Sequence, residues 1–484
     1  MSLILAGLNP SHLWKHFDQL LKIPHCSGNE KAMGEYIISQ AKNLGLEWKK
    51  DKVGNVLVRK PATAGHEAAE PVILQGHLDM VGEKNSDIRH DFSKDPIEPE
   101  IRSGWVQAKG TTLGSDNGIG IASGLAIMED KTLIHGPLEF LFTVDEERGL
   151  TGARYIEPGF LKGTRLINLD SEEEGTFTIG CSGGADSEIS FPLKRKRSKL
   201  KNAHRLKIIG LRGGHSGLDI NQGRANAIRL LARVLWQAKA KYPFELLGIE
   251  GGDKRNAIPR EAWADVLINP LKLKYLSAFV QAACEKIKTE YKVVEKDFKY
   301  SIENIDRKKA DPLTEVSQAA LINFLFTCPH GVLAMHAEIS GLVETSTNMA
   351  SIHCDKAQAK IICSSRSSVA SALEAVRNML RSLTELAGVK IKQPEGYPGW
   401  MPNLESLLLK TLKNVHKNVF GKEAQIVAVH AGLECGIIGE KFPGMDMISF
   451  GPTIQHPHSP EERVEIASVE NFWKFLTAAL QALA

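Results

Sequence analysis

The sequence lacks any long, uninterrupted apolar run, and it lacks the paired cysteine spacings of zinc fingers and redox motifs. Without about 20 consecutive apolar residues, we predict no transmembrane helix and no membrane partner. The seven cysteines are scattered and odd in number, which favours a reduced, cytoplasmic protein over a disulfide framework. Residues 1–9 have no basic region beside their short apolar start, so we predict no secretory signal.

Strong net charge is also lacking, because 60 Lys and Arg residues against 57 Asp and Glu residues leave a formal charge of +3. That bias is too weak to indicate nucleic acid as a partner. The one dense basic run, residues 194–201, contains no aromatic residue on which nucleobases could stack. We interpret the run as a solvated edge. A non-catalytic protein that binds nucleic acid through this run stays open as the alternative to an enzyme.

Short apolar runs alternate with helical patterns in the first part of the chain. Residues 71–75, 138–144 and 165–169 predict buried strands, and the small residues of 117–130 predict a helix. Strands that alternate with helices favour an α/β sheet covered on both faces.

This alternation is interrupted between a Lys/Arg-rich stretch and a turn-rich Pro-Glu-Gly-Tyr-Pro-Gly segment. Inside the interruption, Asn-Ala-Ile at 256–258 is weakly echoed by Asn-Met-Ala at 348–350. We predict that residues 1–185 and 396–484 form one α/β domain, and that 186–395 form an inserted domain of two similar halves.

Histidines and carboxylates follow the predicted strands at the points where these strands end. In chain order they are His77, Asp79, Asp116, Asp145, Glu146, Glu147 and Asp170, with His458 near the C-terminus. Open α/β sheets bind ligands at the carboxyl ends of their strands. Imidazole and carboxylate ligands without cysteine suit Zn²⁺, Co²⁺ or Mn²⁺ in a hydrolase, and a shared carboxylate would hold two ions about 3.5–4 Å apart, flanking one hydroxide.

Five segments resemble metallopeptidase family M20, and within it the aminoacyl-histidine dipeptidase branch. They are GHLDMV at 76–81, LGSDNGIG at 113–120, DEERGLTGA at 145–153, NLDSEEEG at 168–175 and HPHSPEERV at 456–464. The resemblance extends over essentially the whole chain and includes GGHSG, NAIPR, SSRSS and HAGLECG. It implies a two-metal, aminopeptidase-like α/β catalytic domain with an inserted α+β lid domain.

The resemblance also implies the metal ligands. Asp116 would bridge two divalent metal ions, with zinc expected and cobalt or manganese as alternatives. His77 and Glu147 would complete the ligands of one ion, and Asp170 and His458 those of the other.

Two further acids receive roles from the same resemblance. Asp79 would accept the second imidazole N–H of His77, since side chains two apart on a strand point the same way. Glu146 would act as general base. It would take a proton from the water that bridges the metals and pass that proton to the leaving amine. The Asp116–Asn117 peptide bond would be cis.

Substrate contacts are expected from the inserted domain. Arg366 in SSRSS would bind the carboxylate of a dipeptide, because a guanidinium can hold a carboxylate with two hydrogen bonds. His215 in GGHSG would reach the oxygen of the scissile carbonyl. Asn256 and Gly432 are further expected contacts.

The expected function is metal-dependent hydrolysis of dipeptides, notably Xaa-His peptides of the carnosine kind. Another M20 activity, such as a tripeptidase, an acylamino-acid deacylase or a carboxypeptidase, is the alternative. Dipeptides would be the partners, and both a monomer and a homodimer stay open.

Overall fold

The computed structural model describes residues 4–307 and 310–484. Residues 1–3, which begin the segment predicted to carry no secretory signal, lie outside the described residues. In the described ranges no helix combines the length and the apolar character that crossing a membrane requires.

Strands and helices follow one another along the whole described chain. The strands are β1 Glu47–Lys50, β2 Val56–Lys60, β3 Val72–His77, β4 Pro99–Arg102, β5 Trp105–Ala108, β6 Leu138–Thr143, β7 Arg165–Asn168, β8 Thr176–Cys181, β9 Gly183–Pro192, β10 Ala203–Ile209, β11 Gly214–His215, β12 Glu245–Gly251, β13 Ala257–Ile258, β14 Ala262–Leu267, β15 Lys299–Ile305, β16 Gly331–Met335, β17 Val343–Cys354, β18 Gln358–Ser367, β19 Lys390–Lys392, β20 Gln425–Val429, β21 Asp446–Ser449, β22 Ile454–Gln455 and β23 Arg463–Glu465. The helices are α1 Ser11–Leu20, α2 Lys31–Asn43, α3 Ser115–Glu129, α4 Glu146–Gly149, α5 Thr151–Tyr155, α6 Ala227–Lys239, α7 Pro270–Glu290, α8 Glu315–Thr327, α9 Ala370–Ala387, α10 Leu407–Phe420, α11 Glu434–Lys441 and α12 Ile466–Ala482.

The chain divides into two compact units. The first comprises Met1–Cys181, Trp400–Ala428 and Leu433–Ala484. The second comprises Ser182–Gly399 and Val429–Gly432.

The first unit is built on an eight-stranded sheet with the order β1-β2-β6-β3-β7-β21-β8-β20. Its centre is parallel, since β3 pairs with both β6 and β7 in parallel and β7 pairs with β21 in parallel. Every residue of β3 and β6 is buried, as expected for strands covered on both faces. The predicted α/β fold class is confirmed, and the carboxyl ends of β3, β6 and β7 lie along one edge of the sheet.

The small residues of α3 allow this helix to pack closely against its neighbours. A Cβ added at Gly118 would lie 2.9 Å from the ring of Phe17, and one added at Gly124 would lie 3.2 Å from the ring of Phe142. Thirteen of the fifteen residues of α3 are buried. A larger residue at either glycine would therefore push the helix off its site and move the acidic residue at its start.

The second unit is built on a sheet of nine strands. Its main path is β15-β10-β14-β12-β17-β18-β9-β19, with β16 paired to β17. Helices α6, α7, α8 and α9 contribute to its core, which is formed by buried aliphatic and aromatic side chains. Of the two weakly similar tripeptides, the one at 256–258 precedes β14 and the one at 348–350 lies inside β17. The side-chain amide of Asn348 donates to the carbonyl of Ala257 at 2.8 Å. The two similar halves stay a prediction.

Candidate metal centre

Three neighbouring strands of the first unit end in acidic or imidazole side chains. His77 is the last residue of β3, Asp170 lies two residues beyond β7, and Glu146 and Glu147 open α4 just after β6. Asp116 is the second residue of α3. Since β3, β6 and β7 are parallel, their ends bring these side chains to one edge of the sheet.

Asp116 stands between two histidines. Its Oδ1 lies 3.1 Å from Nε2 of His77, and its Oδ2 lies 3.2 Å from Nε2 of His458. His77 Nε2 also lies 3.2 Å from Oδ1 of Asp170, and His458 Nε2 lies 2.9 Å from Oε1 of Glu147. Each oxygen of one carboxylate thus faces a different imidazole–carboxylate pair, which is the arrangement a bridging ligand needs.

The shortest contacts favour a division of ligands between two ions that differs from the expected one. Three groups of these residues have ligand atoms that lie within 4.8 Å of one another: His77 with Asp116 and Asp170, Asp116 with Glu147 and His458, and His77 with Glu146 and Glu147. The sequence-based expectation paired His77 with Glu147 and Asp170 with His458. His77 lies 3.2 Å from Asp170, the acid after the neighbouring strand β7, and the expected pairing of His77 with Glu147 stays a prediction. The expected cis bond at Asp116–Asn117 is confirmed.

The five side chains fit divalent cations. They offer two imidazoles and three carboxylates, the nitrogen and oxygen donors that suit zinc, cobalt or manganese. Oε1 of Glu147 is buried, and in the described chain it accepts no hydrogen bond despite its closeness to His458. A buried carboxylate oxygen without a donor is costly unless a cation takes the donor's place.

The charges in this cluster perturb one another strongly. Burial lowers the pKa of His77, but the carboxylates of Asp170 and Asp116 outweigh it and raise that pKa well above its ordinary value. The carboxylates of Asp116 and Glu147 raise the pKa of His458 to about 11. Burial raises the pKa of Asp170 to about 7. Protons are therefore shared among these closely packed side chains. Metal ligands without their metal behave in this way, because metal binding releases such protons.

Asp79 connects His77 to the segment after β6. Its carbonyl oxygen lies 3.0 Å from Nδ1 of His77, whereas its carboxylate Oδ1 lies 3.4 Å from the same nitrogen. The nearer acceptor for the imidazole is therefore the main chain and not the expected carboxylate. That carboxylate accepts the hydroxyl of Ser27 at 2.7 Å and the N–H groups of Glu146 and Glu147 at 3.0 and 3.3 Å.

The pKa values of the two acids Asp79 and Glu146 are shifted in opposite directions. Burial alone would raise the pKa of Asp79, but the nearby His77 imidazole and hydrogen bonds from the Glu146 N–H and the Ser27 hydroxyl hold it at about 2. Burial raises the pKa of Glu146 well above its ordinary value and outweighs the opposing charge of His77, and the charges of Asp170 and other nearby acids act in the same direction as burial. An acid with a raised pKa beside an ionised one is the arrangement that general acid–base catalysis uses.

The expected substrate residues all lie in the second unit. Arg366 is only 8% exposed, its Nη1 donates to the hydroxyl of Tyr397 at 2.8 Å, and its Nε has no acceptor in the described chain. Gly432 packs on the same tyrosine, because a Cβ there would lie 2.7 Å from the ring. His215 pairs with Ala257 across β11 and β13, so Asn256 lies beside it, with its carbonyl accepting the Ser216 N–H at 2.7 Å.

The ring of His215 is held in one orientation. Its Nδ1 accepts N–H groups of residues 217 and 218 at 3.3 and 3.1 Å, which leaves Nε2 as the donor. Burial, then the charge of Arg366, lowers the pKa of His215. The structure therefore brings His215 and Arg366 close enough to interact electrostatically, and the side chain of Asn256 is exposed.

Sequence reasoning missed three polar residues of the two units. His430 is buried and its Nε2 lies 2.7 Å from the hydroxyl of Ser346. Glu434 accepts from Gln75 and Thr143 at 2.6 and 2.7 Å, one layer below the ends of β3 and β6. Glu462 is also buried. All three stand in the quoted motifs HAGLECG and HPHSPEERV, and for His430 and Glu434 the available signal was a polar residue between apolar ones.

Comparison with known proteins decides the family. The model of peptidase family M20/M25/M40 matches residues 73–482. The chain belongs to this family. All of the candidate metal ligands of this M20/M25/M40 member fall inside the matched range.

Relatives of this family member match it from end to end. The cytosol non-specific dipeptidase of Escherichia coli (strain K12) is 42% identical over 480 residues, which cover 99% of each protein. The crystal structure of an aminoacylhistidine dipeptidase from Vibrio alginolyticus superposes with a TM-score of 0.93 at 42% identity and covers 99% of this chain and 98% of that chain. The aminopeptidase PepT of Bacillus cereus shares the fold, with a TM-score of 0.56 at 15% identity over 98% of this chain and 99% of that one.

Proposed function

We propose that this chain is a metal-dependent dipeptidase that hydrolyses dipeptides, among them Xaa-His peptides. The single observation that carries the proposal is the position of Asp116, whose two oxygens face His77 and His458 in two separate groups of potential metal ligands. End-to-end identity of 42% with a dipeptidase supports the substrate class. The same likeness supports the cytoplasm as its location.

We propose that two of the ligand groups would hold two metal ions. His77, Asp116 and Asp170 would hold one, and Asp116, Glu147 and His458 the other. We propose zinc, since its preference for four mixed nitrogen and oxygen ligands, with one position left for water, matches three protein ligands per site. Bound ions would supply Lewis acidity and make a water more acidic.

Glu146 would move the proton in this reaction. It takes the proton of the attacking water and delivers it to the nitrogen of the leaving amine, which must leave protonated. Its raised pKa suits both halves of that transfer, because a carboxylate that binds a proton more readily can also hold that proton until the amine accepts it. Asp79 holds the Glu146 main chain through the 3.0 Å hydrogen bond and so fixes where the base points.

Side chains of the second unit would recognise the peptide. We propose that Arg366, oriented by the hydroxyl of Tyr397, binds the carboxylate of the dipeptide through its unpaired guanidinium edge. His215, with Nε2 as donor, would stabilise the negative charge that develops on the scissile carbonyl oxygen. Asn256 and the main chain of Gly432 would add hydrogen bonds to the substrate. A requirement for a free carboxylate close to the scissile bond would favour dipeptides over longer peptides.

A substrate panel with defined metals tests the proposal. Metal-stripped protein is reconstituted separately with Zn²⁺, Co²⁺ and Mn²⁺ and offered Xaa-His dipeptides, tripeptides and N-acetyl amino acids. We expect metal-dependent release of histidine from the dipeptides and little turnover of the other two classes. Preferred hydrolysis of tripeptides or N-acetyl amino acids, or undiminished hydrolysis by the metal-stripped protein, would contradict the proposal.

A further inference from the structure

A buried glutamate binds the main chain just ahead of Asp116. Oε2 of Glu462 accepts the N–H groups of Leu113 and Gly114 at 2.8 and 3.0 Å. Oε1 accepts the N–H and the hydroxyl of Ser115 at 2.7 and 2.6 Å, and the N–H of Asp116 at 3.3 Å. One carboxylate thus satisfies four consecutive main-chain donors, which would otherwise be buried without partners.

The segment that Glu462 binds has an irregular backbone. Gly114 has a φ of 74°, in the left-handed region, and a Cβ there would lie 2.9 Å from Sδ of Met80. Asp116 and Asn117 depart from helical dihedral angles at the start of α3. Repeating helical hydrogen bonds therefore do not hold this segment, and its N–H groups converge on the carboxylate instead.

Glu462 also lies close to His458 along the chain. Both residues belong to the turn at 456–462. In this turn the Glu462 N–H donates to the carbonyl of Ser459 at 3.0 Å, and the Ser459 hydroxyl donates to the carbonyl of His456 at 2.9 Å. His458 has a φ of 60°, so its backbone is held in the left-handed region. The glutamate consequently joins the turn that carries one histidine to the segment that carries the shared aspartate.

We propose that Glu462 is a positioning residue for the metal centre: it sets the distance between Asp116 and His458 by holding the backbone of residues 113–116 against the turn at 456–462. The assignment rests on the proposed two-metal function. A neutral, apolar residue would leave the four N–H groups unpaired, and a glutamine would present an NH₂ group to some of them. Either change would move the shared carboxylate without removing a ligand.

Cobalt binding to the full-length, metal-stripped chain tests this role. Glu462→Gln and Glu462→Asp are compared with the wild type and with Glu461→Gln, an exposed neighbour of the same residue type. Visible absorption of Co²⁺ reports the geometry of each site, and titration reports affinity and stoichiometry. Thermal unfolding of each metal-free variant reports folding separately.

We expect Glu462→Gln to bind Co²⁺ about 10–100-fold more weakly than the wild type, as for other groups that orient metal ligands, with an altered absorption spectrum. Glu462→Asp, which keeps the charge on a shorter side chain, should recover part of the affinity, and Glu461→Gln should match the wild type. Wild-type affinity and spectrum in Glu462→Gln would overturn the proposal. So would unfolding of both Glu462 variants without metal, which would make the residue purely structural. Failure of the wild type to bind Co²⁺ would instead overturn the proposed function, on which this role depends.

Discussion

The carboxylate of Asp79 accepts the main-chain N–H of Glu146 at 3.0 Å. Because the carbonyl of the same aspartate lies 3.0 Å from Nδ1 of His77, one residue touches both a candidate metal ligand and the candidate base. The position of the base is thereby tied to the position of the ligand.

Replacing Asp79 by Asn should separate positioning from metal binding. An amide keeps the size of the side chain but turns an NH₂ group toward N–H donors, so the Glu146 segment should shift. We expect kcat to fall about 10–100-fold, the usual effect of losing a group that orients a metal site, while the protein still binds two ions. Steady-state kinetics and metal analysis measure both, with the exposed Asp87→Asn as the control. Unchanged kcat would show that the hydrogen bond does not position the base.

Double variants test how the ligands divide between the ions. His458 and Glu147 belong to one group, so His458→Ala with Glu147→Ala should cost no more bound metal than either change alone. His458→Ala with Asp170→Ala removes ligands from both groups and should empty both sites. Metal content after gel filtration measures the outcome. Loss of both ions in the first double variant, with one ion retained in the second, would restore the pairing that the sequence suggested.

Replacing Arg366 by Ala should affect only substrates with a free carboxylate. A hydrogen bond to a charged group contributes about 1.5–3 kcal/mol, which corresponds to roughly 10–150-fold in KM. We expect that increase for Xaa-His dipeptides and little change for the same peptides with C-terminal amides. The amidated substrates are the matched control, and an equal loss on both would assign Arg366 another role.

Much of the metal centre could be predicted, because strand ends are visible in sequence. Short apolar runs end at His77 and just before Glu146 and Asp170, and parallel strands bring such ends together. The division of ligands could not be predicted, because β3 lies between β6 and β7 and the division depends on how the side chains at these strand ends are oriented. The role of Glu462 left no local pattern either, since its partners are main-chain amides almost 350 residues away in sequence.

Acidification should destabilise the protein through His430. Burial, followed by the charges of Arg366 and His215, lowers the pKa of His430 to about 4 from 6.5. The unfolded chain binds this proton at higher pH than the folded chain. The contribution of neutral His430 to the free energy of unfolding is therefore fully present above pH 6.5 and is lost as the pH falls from there toward 4. The loss from this residue is about 3 kcal/mol at most.

Urea unfolding of metal-free protein at pH 7 and at pH 4.5 measures this effect. His430→Gln should show a smaller drop in its unfolding midpoint between the two pH values than the wild type. His353→Gln, a change at an exposed histidine, should behave like the wild type. An equal drop in the wild type and in His430→Gln would show that His430 does not contribute.

The adjacent residues Glu146 and Glu147 should fail in different ways when each is changed to Gln, and this contrast tests the central claim most directly. Metal content by mass spectrometry is measured beside kcat for each variant. Glu147→Gln should lose one ion, because Glu147 lies in a ligand group with Asp116 and His458. Glu146→Gln should keep two ions and a near-normal KM while kcat falls by about 10²–10⁴-fold, the usual contribution of general acid–base catalysis. A Glu146→Gln variant that keeps both ions and most of its turnover would contradict the proposed base.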